Sequence, residues 1–185
     1  MFETEFSQVV PRTVRWLERA VIGLNLCPFA KGVHAKGQIH YVVTGAQNRE
    51  VLLKVLREEL QALVALDPDA RDTTLLIAPL VFPEFWDFNA FLPECDTLLK
   101  REKLQGVVQI ASFHPRFEFT GVAPDNITNY TNRSPYPILH LLREDSIDRA
   151  LHAFADPGAI FETNMQTLQA LGHKGWDALG LQGEL

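Results

Sequence analysis

Nine side chains in this 185-residue sequence combine a reactive or binding group with neighbours that would hold it in place. Cys27 precedes Pro28 in "NLCPFA". A residue before proline is pushed to extended geometry, so if Pro28 opens a short helix, Cys27 occupies the N-cap, where the helix dipole lowers a thiol pKa and favours the thiolate. Such a thiol is a nucleophile or redox centre, and a Cys-Pro pair also has the form of an axial haem ligand. A lone cysteine serves equally well as a small buried hydrophobe. His114, before Pro115 at the end of an expected strand, is the candidate general base or hydrogen-bond donor. Asn129 and Asn132 have the amide groups that orient a base or an oxyanion.

A second group is built to hold an anion. Arg116 and Arg133 supply guanidinium forks for a carboxylate or phosphate. "NRSPYP" resembles a helix entrance with Ser134 at the N-cap and Pro135 at N1, so N–H groups and a helix dipole would converge with Arg133 on one point. On the helix that follows, His140 and Arg143 are three apart and share a face. The structural alternative is that Arg133 and Arg143 form ordinary surface ion pairs with Glu144 or Asp145. Six histidines, among them His34, His40, His152 and His173, show no pair at a zinc-motif spacing, and Cys27 with Cys95 lacks close thiol pairing. No metal is assigned, and no cofactor is named by the residues.

The elements that position these groups follow from hydrophobic spacing. "SQVVPRTVRWLERAVIGLN" carries Val10, Val14, Leu17, Val21 and Leu24 as one helix ending near Asn25, with Pro11 in its first turn. "QIHYVVT" is a strand, and "NREVLLKVLREELQALVAL" a helix with Leu52, Val55, Leu56, Leu63 and Leu66 on one face. "TTLLIAPLVF" is a strand covered on both sides. "FWDFNAF" and "ECDTLLKREKL" are helical and broken or kinked at Pro93, their aromatic residues most simply core. "GVVQIASF" is a third strand, and "RFEF" a fourth, at the edge. Two successive crossovers imply a small, mainly parallel sheet of three to four strands packed with helices. "PYPILHLLRE", "DSIDRALHAF" with Asp145 as cap, and "DPGAIFETNMQTLQAL" add C-terminal helices. The last has Asp156 at N-cap, Pro157 at N1 and Gly172 past its end. The whole chain, 1–185, is expected to be a single α/β domain.

The stretch from Phe113 to Glu144 is longer than the roughly 12–15 residues of a plain connector, and it mixes aromatic with polar residues, as the wall of a small-molecule site would. "NIT", "NYT" and "NRS" match the glycosylation pattern, but the acidic N-terminus is unlike a secretory signal, so they are turn formers in a cytoplasmic protein. A formal net charge of −6 with scattered Lys and Arg gives no nucleic-acid footprint. No apolar run approaches the roughly 18 residues of a membrane span.

"LNLCPFA", "ASFHPRFEF" and "NRSPYPILHLLRE", in this order, resemble the bacterial proteins grouped as domain-of-unknown-function family 1415. The likeness covers essentially the whole chain and implies a stand-alone bacterial protein; it carries no activity, cofactor or residue role. Two functions stand. One is an enzyme acting on a small anionic metabolite, with Cys27 as nucleophile or redox thiol, His114 as its base, and Arg116, Arg133, Ser134, His140 and Arg143 around the substrate. The other is a noncatalytic small-ligand-binding or haem-sensing module. Oligomeric state is open in both.

Overall fold

A computed structural model describes residues 6–152 and 158–181. It is an α/β arrangement around four strands: β1 (Ile39–Val43), β2 (Thr73–Ile77), β3 (Val108–Phe113) and β4 (Ile138–Arg143). The spatial order is β1-β2-β4-β3, with β1 parallel to β2 and β4 antiparallel to both neighbours. β1, β2 and β3 therefore run the same way, as the crossover argument requires, but the sheet is mixed and not mainly parallel. "RFEF" forms no strand. The fourth strand comes instead from "ILHLLR", where a helix was expected.

The reason is positional. β4 lies between β2 and β3 in a sheet with helices on both sides, so both of its faces are covered: Ile138 joins one core and Leu139 and Leu141 the other. Apolar residues on both faces mimic the spacing of a buried helix, and a run this short does not distinguish the two. Pro137 also holds Tyr136 away from helical geometry. Ser134 is accordingly not an N-cap and Pro135 does not open a helix. On a strand, residues three apart point to opposite faces, so His140 and Arg143 do not share one.

One face of the sheet is covered by α3 (Arg49–Ala65) and α4 (Phe85–Arg101). Asn48 starts α3, its side chain accepting the Val51 N–H at 2.9 Å. Leu52, Leu56, Leu60 and Leu63 are fully buried, each contributing about 1.5–3 kcal/mol over an exposed position. Leu66, expected on that face, lies exposed. α4 runs through Pro93 as one element. The carbonyl that Pro93 leaves without a helical partner belongs to Asn89 on the exposed side, and Phe88, Phe91, Cys95 and Leu98 bury the opposite side of both halves.

The other face is covered by α1 (Val9–Trp16), which continues as π-helical turns over Leu17–Ile22, with α2 (Ala30–Ala35) and α6 (Ala159–Asp177). Trp16, Leu17, Leu168 and Trp176 pack there against Leu75, Ile77 and Ile138. α6 is interrupted at Gly172, whose φ of 63° ends one helical run before another begins, so the expected stop is present but the helix resumes. The Asp156 and Pro157 start signals lie outside the described residues. α5 (Glu144–Leu151) begins at Arg143 with no side-chain cap; Asp145 is inside its first turn.

Candidate functional site

The carboxyl ends of β1, β2 and β3 and the start of β4 share one edge of the sheet, where open α/β sheets place ligands. Residues 114–137 of the 113–144 stretch occupy this edge, and β4 then leads away from it. The loop is organised by a 3-10 helix, Ile127–Asn132, and by side chains that bind backbone. Asn126 accepts from the Thr128 N–H at 2.9 Å. Fully buried Asn129 accepts the Phe119 N–H at 2.9 Å and donates to the Ala123 carbonyl at 2.8 Å. Asn132 donates to the Ser112 carbonyl at 3.1 Å. The amides of Asn129 and Asn132 are thus engaged in holding the loop.

His114 is buried and both ring nitrogens are used. Nε2–H donates to the Phe82 carbonyl at 2.9 Å, and Nδ1 accepts the Arg116 N–H at 3.0 Å, which fixes the neutral tautomer. The ring stacks on Phe88 at 5.3 Å, on the α4 face. Burial pushes its pKa below the usual histidine value. Its carbonyl partner, Phe82, has φ 57°, a left-handed conformation that costs a bulky residue about 1–2 kcal/mol. His114 offers no free lone pair to a substrate and serves as a clamp on the turn at 79–83. Arg116 also braces this turn, donating to the Pro83 carbonyl and to Glu84 Oε1 at 2.5 Å.

Cys27 packs with the α1 face, on the far side of the sheet from His114. The structure therefore does not form the expected nucleophile–base pair. α2 begins at Ala30, and Cys27 precedes it by a turn and not as its cap. Burial raises the thiol pKa and outweighs the lowering effect of the Ala30 and Phe29 backbone groups, so the expected thiolate is not favoured. Cys27, His140, Phe113 and Trp16 line a small apolar cavity of about 40 Å³. That is an order of magnitude below the roughly 300–1,000 Å³ of small-molecule sites. A haem does not fit against Cys27 there. His140 Nε2 lies 2.7 Å from Thr73 Oγ1, which itself donates to the Leu141 carbonyl at 2.6 Å, so the ring donates to the hydroxyl. Desolvation takes its pKa down to about 4.

On the outer side of Trp16 is an open basin of about 380 Å³, lined by Arg12, Trp16, Tyr130, Arg133, Tyr136 and Trp176 among others. Arg133 stands with its guanidinium 4.2 Å from the Tyr130 ring centroid and donates to the carbonyls of Pro124 at 2.6 Å and Phe117 at 3.3 Å. The Trp16 indole N–H donates to the Arg133 carbonyl at 2.8 Å. Ser134 lines the basin, its hydroxyl turned to the Tyr136 carbonyl at 2.5 Å. Arg143 is far from all this. At the opposite end of β4 it donates to the carbonyls of Leu63 at 2.5 Å and Leu66 at 2.8 Å, closing the end of α3.

Of the expected anion holders, then, only Arg133 and Ser134 line the basin; Arg116 braces the neighbouring turn, and His140 and Arg143 are elsewhere. Arg12, Trp16, Tyr136 and Trp176 were not singled out by spacing. They come from α1, the loop and α6, and only tertiary folding brings them together. Among the described residues no three His, Cys, Asp or Glu side chains gather as a metal site, and no helix is long and apolar enough to cross a membrane.

This architecture is an α/β protein with a mixed four-stranded sheet and an open basin at the carboxyl ends of three strands. The chain belongs to a family described as proteins of unknown function, DUF1415, whose model matches residues 8–178. That span includes Arg12, Arg133 and all four aromatic side chains of the basin. Neither the curated proteins nor the solved structures contain a match to the chain.

Proposed function

We propose that the protein binds a small carboxylate-bearing or phosphate-bearing molecule in the basin between α1, the 3-10 helix and α6. The carrying observation is that two guanidinium groups, Arg12 and Arg133, border this basin without a carboxylate partner. Among the described residues neither takes part in an ion pair, a state they share with Arg15, Arg19, Arg101 and Arg149, which lie outside the basin wall, whereas Arg49, Arg57, Arg71, Arg116 and Arg143 are paired. Both side chains are half-buried on the wall of the open basin, and an anion that reaches either gains charge-assisted hydrogen bonds. The basin's volume of about 380 Å³ lies in the range of small-molecule sites.

The binding function fits this geometry better than covalent catalysis, because the thiol and the imidazole are on opposite faces and the imidazole is fully engaged. Thermal melts with a panel of small carboxylates and phosphate test it. A binder at one hundred times its dissociation constant adds about 2.7 kcal/mol. Arg12→Ala should remove most of that gain and leave ligand-free stability nearly unchanged. If no member of the panel shifts the melt, or if Arg12→Ala keeps the full shift, the basin is not the anion site.

A further inference from the structure

We propose that the anion received by the basin is an oligophosphate chain, with one phosphate at Arg12 and Arg133 and the following ones met along α1 by Arg15 and Arg19. The proposal rests on the basin binding an anion and names the kind of anion.

Six arginines make no ion pair among the described residues, and four of them, Arg12, Arg15, Arg19 and Arg133, gather at or beside the basin. Arg12, Arg15 and Arg19 follow one another at intervals of three and four along α1 and its π-helical continuation. Residues so spaced are neighbours on one face, about 5–6 Å apart at their Cβ atoms. Both ends of this row adjoin the basin. Arg12 is part of its wall. Arg19 donates to the Leu179 carbonyl at 2.8 Å, and Leu181, two residues further on, is again basin wall. Two residues of backbone span at most about 7 Å. Arg15 stands between them, half-buried, and its guanidinium has no hydrogen-bond partner among the described residues.

The chain as a whole is acidic, with 23 Asp and Glu against 17 Lys and Arg, yet among the described residues no carboxylate forms an ion pair with the row. Glu18, beside Arg19 in sequence, faces His34 at 3.1 Å. The basin wall contains no Asp or Glu. Like charges three and four apart on a helix repel one another, and a ligand that brings the countercharge relieves this. Phosphate oxygens suit the planar fork of arginine, which meets them two at a time. The row is linear with one guanidinium at each step, so it matches a linear polyanion with a charge on every link. A single phosphate would leave Arg15 and Arg19 unanswered.

The test is calorimetry on the full chain at fixed salt, because screening alters all such contacts. Inorganic phosphate, pyrophosphate and triphosphate are compared with adenosine triphosphate and with citrate, a branched polyanion. Triphosphate should bind tenfold or more tightly than phosphate. Arg15→Ala should remove most of that gain while leaving phosphate affinity and the melting temperature of the free protein unchanged. Arg101→Ala, which removes an unpaired arginine at the end of α4, should change neither affinity. Adenosine triphosphate binding more tightly than triphosphate places the chain in a nucleotide and weaker binding makes it a free oligophosphate; both results support the row. Triphosphate no tighter than phosphate, citrate as tight as triphosphate, or a loss in Arg15→Ala no greater than in Arg101→Ala overturns the oligophosphate and leaves the basin as an anion site. No binding by any of these compounds also overturns the oligophosphate, and a carboxylate panel that is silent as well overturns the basin with it.

Discussion

The two ends of the sheet are both rich in arginine and use it in opposite ways. At the end where β2 begins and β4 finishes, Arg71 is buried, donating to Glu59 and to Thr74 Oγ1 at 2.9 Å. Beside it, Asp72 accepts the Ser146 hydroxyl at 2.5 Å, and Ser146 accepts from Arg149 at 2.9 Å. Arg143 completes this network by holding the end of α3. Every guanidinium there faces a carboxylate, a hydroxyl or a carbonyl. At the other end Arg116 pairs with Glu84, but among the described residues Arg12 has no such partner, and Arg133 has carbonyls and an aromatic ring but no acid. A compensated arginine is scaffold. An uncompensated one beside a cavity is a candidate for binding.

The sharpest way to break this comparison is to remove an arginine from each end. Arg71→Ala leaves Glu59 without its partner in a largely buried setting, and should cost about 3–5 kcal/mol in denaturant unfolding with no effect on ligand affinity. Arg133→Ala should cost less, about 2–3 kcal/mol, because it gives up two hydrogen bonds from a charged donor and the contact with Tyr130. It should also weaken ligand binding. Equal losses in the two variants, with binding untouched, would make Arg133 scaffold as well.

Acidity probes the layer between the ends. His140 has a folded pKa of about 4, below its unfolded value, so the stability it contributes is present above about pH 6.5 and is lost as pH falls toward 4. Between pH 7 and pH 5 the loss is about 2 kcal/mol. It should be absent from His140→Gln, and a wild-type unfolding midpoint that stays constant over that interval would contradict the assignment. His114 acts in the same direction, since its pKa is also lowered. The smallest effect concerns Cys27: with burial raising its pKa, alkylation by iodoacetamide at neutral pH should be slower than that of a model thiol, and a faster rate would restore the case for a reactive cysteine.

The α/β class, the common direction of β1, β2 and β3 and the place of the loop after β3 at the carboxyl edge follow from spacing and length in the sequence, but the expected mainly parallel sheet does not hold. β4 does not follow, because a central strand with two buried faces loses the alternation that would betray it, and "ILHLL" then has helical periodicity. From that single misassignment followed the capping role of Ser134 and the shared face of His140 and Arg143. The side-chain roles were also hidden for another reason. Whether His114 is a base or a clamp depends on what sits 2.9 Å from its Nε2, and that partner, Phe82, is 32 residues away in the chain. Arg12 carries no local signal, since what sets it apart, a place on the basin wall with no ion-pair partner among the described residues, arises only on folding.

Trp16 forms the partition between the basin and the closed cavity, and Trp176 lines the basin as well. The chain has three tryptophans, and the remaining one, Trp86, is 60% exposed. Replacing Trp86 by phenylalanine thus leaves two indoles that both border the same open space, so the intrinsic emission of the protein becomes an optical gauge of whatever enters it. Because the Trp16 indole N–H is fixed on the Arg133 carbonyl, a ligand that pulls on Arg133 changes the polarity felt by a chromophore already in place, and occupancy is legible in the spectrum without any attached dye.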